Sequence, residues 1–284
     1  MNENCPSRTA LRVATQRAEH QVLDDPRIFD DPLALRILGL NSETVRMLMQ
    51  EQRDETPYSH ILRASLAARS RYAEDALSLA IQQGISQYVV LGAGLDTFAY
   101  RNPYPDTVLR VFEVDHPATQ DWKRKRLAET GISIPQTLSF IPVDFEKQTL
   151  ADGLHQAGFD ISKRSLFAWL GVTMYLSQAA IDTTLRLVAL LPAGSRIVFD
   201  YLVSPTLLSS PAHLAFEQLS ASVRLAGEPF QTCFAPSDLS QHLLTLGFAQ
   251  AEDIGPDELD ARYLRGRTDK LRVGRLAHIM NARV

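Results

Sequence analysis

The strongest constraint on the fold is a repeated alternation that begins after Gly84. Five short apolar runs follow one another: Tyr88–Leu91, Val111–Val114, Leu138–Val143, Leu166–Leu170 and Arg196–Phe199. Stretches with helical spacing separate them. One starts near Pro117, another is capped by Ser177. Continuous apolar strands divided by helices imply a buried, mostly parallel sheet covered on both faces.

The flanks are different in texture. Ser7 is placed to cap a helix carrying Ala10, Val13, Ala14 and Ala18. Asp31-Pro32 reads as a second helix start, with Gly39 as its stop. A long helix is predicted over Ile61–Gln83, closed by Gly84. Beyond the fifth run, Ala212–Arg224 has helical spacing, and Ser237 is expected to cap a helix ending at Gly247. Phe248–Ile254 and Gly274–Met280 read as two last strands with no clear helix between them. They are expected to pair antiparallel and add a reversed strand at the sheet edge. The predicted fold is α/β: Rossmann-like, with a seven-stranded, mostly parallel sheet, an antiparallel edge strand, N-terminal helices and a helical insertion. One domain is expected over 1–284. It divides into a helical cap (1–60), a ligand-binding core (61–203), a lid insertion (204–236) and a last helix with a strand pair (237–284).

Composition removes several function classes. The formal net charge is −4, and the basic run Lys123-Arg124-Lys125-Arg126 lies in a helical pattern, so it is expected to be a solvated face. No nucleic-acid partner is expected. No apolar run reaches the length of a membrane span, and the first twelve residues lack a signal-peptide core, so no membrane partner and a cytoplasmic location are expected. Cys5 and Cys233 make no disulfide framework or metal cluster, and no metal is expected. The oligomeric state is left open between monomer and homodimer.

The chemistry centres on Leu91-Gly92-Ala93-Gly94-Leu95-Asp96-Thr97. Glycines after a buried strand allow a tight turn and a close approach. A dinucleotide fingerprint wants a third glycine where Thr97 stands, and seats a pyrophosphate where Asp96 would repel it. A cofactor with no phosphate, an ammonium on its amino-acid end and a positive sulfur, such as S-adenosylmethionine, suits Asp96 better than NAD. Glu113 and Asp115 end the second strand, about twenty residues past the glycines, where a carboxylate accepts ribose hydroxyls. A solvated or helix-capping pair is the other reading of that spacing. Asp144-Phe145 ends the third strand, where an acid and a ring suit an adenine or, equally, a cap beside a core aromatic.

The segments LGAGLDTFAYR (91–101), FEVDHP (112–117), VDFE (143–146), WLGVTMYL (169–176), AARSRYAEDAL (67–77) and RTALRVATQRAEH (8–20) together resemble the leucine carboxyl methyltransferase-like family, and within it a bacterial branch of S-adenosylmethionine-dependent methyltransferases. The resemblance runs from about Ser7 to Leu202. It implies S-adenosylmethionine as cofactor, with Gly92, Ala93 and Gly94 along its methionine part. It implies that Arg69, or alternatively Arg71, pairs with the cofactor carboxylate. Asp115, with Glu113 beside it, would hold the ribose, and Asp144 and Phe145 the adenine. Asp96, Thr97, Leu170 and Gly171 complete the candidate set. Leu170 stands where eukaryotic members usually carry Glu, which argues against their substrate, the C-terminal leucine of a protein phosphatase subunit.

The expected reaction is methylation of a carboxylate or hydroxyl on a small-molecule acceptor. Tyr175 and Tyr201, just beyond the fourth and fifth strands, are candidate acceptor contacts. No general base is assigned: none of the seven histidines sits in a catalytic motif. An NAD(P)-dependent oxidoreductase on the same sheet and a non-catalytic, degenerate methyltransferase are the competing readings.

Overall fold

The computed structural model describes residues 7–51, 57–144, 149–225, 227–269 and 271–284. Helices α1 (Arg8–Leu23), α2 (Ser42–Glu51) and α3 (Pro57–Gln82) precede the sheet. Then follow β1 (Gln87–Leu91), β2 (Arg110–Asp115), α4 (Pro117–Glu129), β3 (Leu138–Pro142), α5 (Leu150–Gln156), β4 (Ser165–Trp169), α6 (Gln178–Ala189) and β5 (Arg196–Leu202). The chain ends with α7 (Ser210–Leu225), α8 (Pro236–Leu246), β6 (Gln250–Ile254), α9 (Pro256–Tyr263) and β7 (Ala277–Arg283).

The strands form one seven-stranded sheet in the order β3-β2-β1-β4-β5-β7-β6. The first five are mutually parallel, and β7 runs antiparallel to both β5 and β6. The expected reversed strand is thus β7, seated one place in from the edge. Alternation within each strand sends side chains to two cores. Val90, Leu166, Val198 and Ile279 meet Ala73 and Leu77 of α3 on one face. Val89, Phe112, Phe167 and Phe199 meet Ile181 and Leu185 of α6 and Leu239 and Leu243 of α8 on the other.

Helix α1 is capped by Ser7, whose Oγ accepts from the Ala10 amide at 3.1 Å. Its far end is tied to α3 by a buried network. His20 Nε2 accepts from the amides of Ile28 (3.0 Å) and Phe29 (3.1 Å), which leaves Nδ1–H to donate to Asp24 at 2.7 Å. Arg63 of α3 donates to the same carboxylate through Nε (2.8 Å) and Nη2 (3.0 Å). Burial alone would raise the Asp24 pKa; His20 and Arg63 outweigh it and hold it at about 2.

Several expectations are corrected here. Asp31 starts no α-helix: turns lead into a 3₁₀ turn at Arg36–Leu38, which Gly39 closes at φ 66°. The Asp31 carboxylate is drawn inward instead, to Arg17 (2.6 Å) and Thr97 (2.8 Å). Ser237 is not a cap, because Pro236 already occupies the first turn of α8 behind Ala235. The segment between the last two strands holds α9, with Pro256 in its first turn and Leu259 buried. Lys123 does not belong to a solvated face. It is 1% exposed, with its ammonium 2.7 Å from Glu113 of β2.

Candidate functional site

Strand order reverses around β1, whose neighbours β2 and β4 are reached in opposite directions. A crevice opens at the carboxyl ends of strands at such a point. Here it is a cavity of about 410 Å³, within the range of small-molecule sites.

The glycine turn forms its floor. Ala93 N–H bonds to the Val114 carbonyl at 3.0 Å, and Gly94 N–H donates to the Asp115 carboxylate, so the turn is fastened to the end of β2. Gly92 and Gly94 have φ of 64° and 47°, the left-handed region that disfavours a Cβ. Packing reinforces the requirement. A Cβ on Gly92 would lie 2.3 Å from Val172 Cγ2, and one on Gly94 would lie 3.2 Å from Ala10 Cβ. What approaches these glycines closely is protein: the loop after β4 and the start of α1.

Asp115 is 8% exposed and lines the cavity. Burial pushes its carboxyl up, against the opposing pull of the Gly94 and His116 amides. His116 Nδ1 accepts from the Ala118 amide at 3.3 Å, capping α4, while Nε2 stands 3.8 Å from Asp144. Asp144, just past β3, faces the same cavity. Asp96 lines it too, but its charge is answered by Arg17 at 2.9 Å. Burial would raise the Asp96 pKa; Arg17, with Lys123 and Arg101 behind it, brings it down to about 2. Opposite these acids lies Arg69 of α3, donating to Asp200 of β5 at 2.6 Å. Asp200 also accepts from the Gly171 amide. Gly171 (φ 74°) has no side chain because Arg69 lies across it: a Cβ there would be 2.8 Å from Nη2. Leu170 and Tyr175 complete that wall, and burial pushes the Tyr175 hydroxyl up to about 12.

The leucine carboxyl methyltransferase family profile matches residues 10–189, well over half of the chain. The chain belongs to the leucine carboxyl methyltransferase family. A Bacillus subtilis (strain 168) relative, YktD, named as a candidate S-adenosyl-L-methionine-dependent methyltransferase, is 32% identical over 99% of both chains. A Mycobacterium avium (strain 104) relative with the same description is 31% identical over 72% of this chain and 68% of its own length. The structure of a DUF574 family protein from Streptomyces avermitilis MA-4680 shares the fold, with a TM-score of 0.53 at 15% identity and 96% coverage of each chain.

The cavity of this family member gathers Arg69, Gly92, Ala93, Gly94, Asp96, Asp115, Asp144, Leu170, Gly171 and Tyr175. Phe145 lies outside the described residues. Three candidates do not line it. Glu113 is buried behind the strand end, between Lys123 and the Tyr100 hydroxyl (3.1 Å). Thr97 turns beneath the site toward Asp31 and Arg17. Tyr201 is fully buried and donates to Asp253 at 2.6 Å. Of the two arginines, Arg69 lines the cavity, whereas Arg71 is half-exposed and pairs with Asp75.

Asp200, Arg17 and Glu228 were missed. Asp200 had a readable signal. Tyr201 follows Phe199 into the second core, so the residue between them must face α3. Arg17 and Glu228 had none, since helix α1 and the segment after α7 reach the site only through the tertiary fold. The two elements meet where the Thr9 hydroxyl and amide both donate to Glu228.

Proposed function

We propose that this S-adenosylmethionine-dependent methyltransferase methylates an oxygen, carboxylate or hydroxyl, of a small-molecule acceptor, and that the cavity at the ends of β1–β4 holds its cofactor. The observation that carries the reading is the clamp between Asp115 and the Gly94 amide. It places a buried carboxylate at the end of β2 with its second oxygen held by the His116 amide. An acid so fixed presents its remaining lone pairs to ribose hydroxyls.

The other residues fit the same ligand. Arg69 gives one N–H to Asp200 and has donors left for a carboxylate. Asp144 stands where an adenine amino group needs an acceptor, and the backbone of Gly92–Gly94 borders the methionine part. When bound, S-adenosylmethionine supplies a methyl group already activated on a sulfonium, so the chain's own task is position and exclusion of water. Helix α1 and residues 227–231, joined by Thr9 and Glu228, close the cavity from above as a lid.

A dinucleotide finds little here. The turn runs into the three-residue 3₁₀ turn Phe98–Tyr100, which offers no α-helical N-terminus for a pyrophosphate. Thr97 fills the position of the third glycine with a buried hydroxyl.

Thermal unfolding tests the reading. S-adenosylmethionine and S-adenosylhomocysteine should raise Tm, by an amount equivalent to about 2.7 kcal/mol at a hundred times Kd, and NAD and NADP should not. Asp115→Ala should lose at least about tenfold in S-adenosylhomocysteine affinity by calorimetry with an unchanged circular dichroism spectrum. No shift with either S-adenosylmethionine or S-adenosylhomocysteine overturns the proposal.

A further inference from the structure

A second cavity, about 580 Å³, adjoins the first. The two share Thr9, Val13, Arg69, Gly171 and Tyr175 in their walls, so they meet at the Arg69–Asp200 pair. Its body is apolar: Leu62 and Leu66 of α3, Met174, Leu202, Val223 of α7 and Phe230. Charge enters its wall in an uneven way. Arg69 is neutralised by Asp200, and Arg275 by Asp257 and Asp260 (3.5 Å). His278 is held by Asp253 at 2.9 Å. That leaves Arg8, Arg12 and Arg272, which line the cavity, are exposed and so stand at its rim. Among the described residues none of the three pairs with a carboxylate. Arg8 and Arg12 are one helical turn apart on α1 and share a face.

We propose that this second chamber takes an amphipathic organic acid as the methyl acceptor. Its apolar body fills the chamber, its anionic group rests on the Arg8–Arg12–Arg272 rim, and its reacting oxygen, a hydroxyl or a second carboxyl, lies where the two cavities meet, beside Tyr175 and Gly171. The assignment rests on the methyltransferase reading above and names its substrate class. A hydrocarbon body gains by leaving water for these walls. Unpaired arginines at an apolar mouth select an anion by charge-assisted hydrogen bonding, and they discriminate against a neutral chain of equal length. The three arginines line the second cavity and not the first, so they bind the acceptor without touching the cofactor's cavity.

Calorimetry on the full chain tests this with ω-hydroxydodecanoate and its neutral counterpart dodecanediol. The acid should bind at least about tenfold more tightly than the diol. The triple variant Arg8→Gln, Arg12→Gln, Arg272→Gln should lose that preference, with S-adenosylhomocysteine affinity unchanged. A filling variant, Leu66→Trp, should weaken both chains together and leave the cofactor affinity intact. Equal binding of acid and diol to the unaltered chain overturns the proposal, as does an acid preference that survives in the triple variant or no detectable binding of the acid. S-adenosylhomocysteine binding is measured separately, so a failure of the cofactor site is distinguishable from a failure of the chamber.

Discussion

Two tyrosines one strand apart show how much a single side-chain direction decides. Tyr175 lines both cavities, whereas Tyr201 is sealed in the core with its hydroxyl on Asp253. Tyr201→Phe should cost about 1 kcal/mol of stability, the worth of one hydrogen bond, since Asp253 keeps His278 as a partner. Ligand affinities should be unchanged. Tyr175→Phe should do the reverse, leaving urea unfolding nearly unchanged and lowering turnover once an acceptor is in hand. Glu113 makes a different case. Burial outweighs Lys123 and holds its carboxyl up to about 7. From the ordinary carboxylate range to about pH 7 the folded chain therefore keeps a proton that the unfolded chain has lost. This group's contribution to stability falls as pH rises through that window and is level above it. Where Glu113 is ionised, toward and above about pH 7, Glu113→Gln alone strands the Lys123 ammonium and should cost about 3 kcal/mol; near pH 5, where it replaces a neutral carboxyl, it should cost much less. Glu113→Gln with Lys123→Met should recover much of that loss, and its stability should vary less between about pH 5 and 7 than that of the unaltered chain. Denaturant titrations of the three proteins at both pH values decide it.

At the level of elements, the glycine turn is a joint between three parts: β1, the loop after β4 and α1. Gly92→Ala meets two obstacles, the positive φ and Val172. The first costs about 1 kcal/mol whatever surrounds it. The second is relieved by shortening the neighbour. Gly92→Ala should therefore destabilise by more than 2 kcal/mol, and adding Val172→Ala should recover the clash but not the backbone strain. A double variant no more stable than Gly92→Ala alone would show that Val172 does not set the constraint. The same joint marks what the sequence could disclose. Four of the five parallel strands were legible because burial on both faces makes each one a nearly continuous apolar run, while β3, half-buried at the sheet edge, was legible from its shorter apolar stretch. The cavity-lining acids Asp115 and Asp144 were legible because each stands at or just past the end of a strand that the sequence marks. Helix α9 was not, because eight residues with few buried positions carry too little periodicity. Glu113 and Thr97 were misplaced for a related reason. A polar residue next to a site reads the same whether it faces the ligand or supports the wall from behind.

On the scale of the whole molecule, the last strand to emerge completes the sheet from within. β7 pairs with β5 over Arg196–Leu202 and with β6 over Gln250–Ile254, so β6 joins the ladder of the parallel core through β7, with the Tyr201 hydroxyl on Asp253 as a side-chain tie beside it. Ile279, Met280 and Ala282 also supply both cores at once, Ile279 to the α3 face and the other two to the α8 face. The Arg69–Asp200 pair that joins the two cavities depends on this arrangement, because Asp200 lies on β5 opposite Ile279. Removing residues 277–284 would thus do more than expose an edge. It would open the ladder of β5, detach β6 with α8 and α9, and loosen the strand that carries Asp200. β5 would keep β4 but lose its other neighbour, and a bare edge carrying Ile197, Val198, Phe199, Tyr201 and Leu202 is an aggregation template. The truncated chain should accumulate as insoluble protein and, where recovered, lack a cooperative unfolding transition. A peptide of residues 275–284 supplied in trans should restore some solubility by pairing with β5. A soluble truncated chain that unfolds cooperatively and still binds S-adenosylhomocysteine would show that β1–β5 and their helices stand alone, with β7 dispensable to the site.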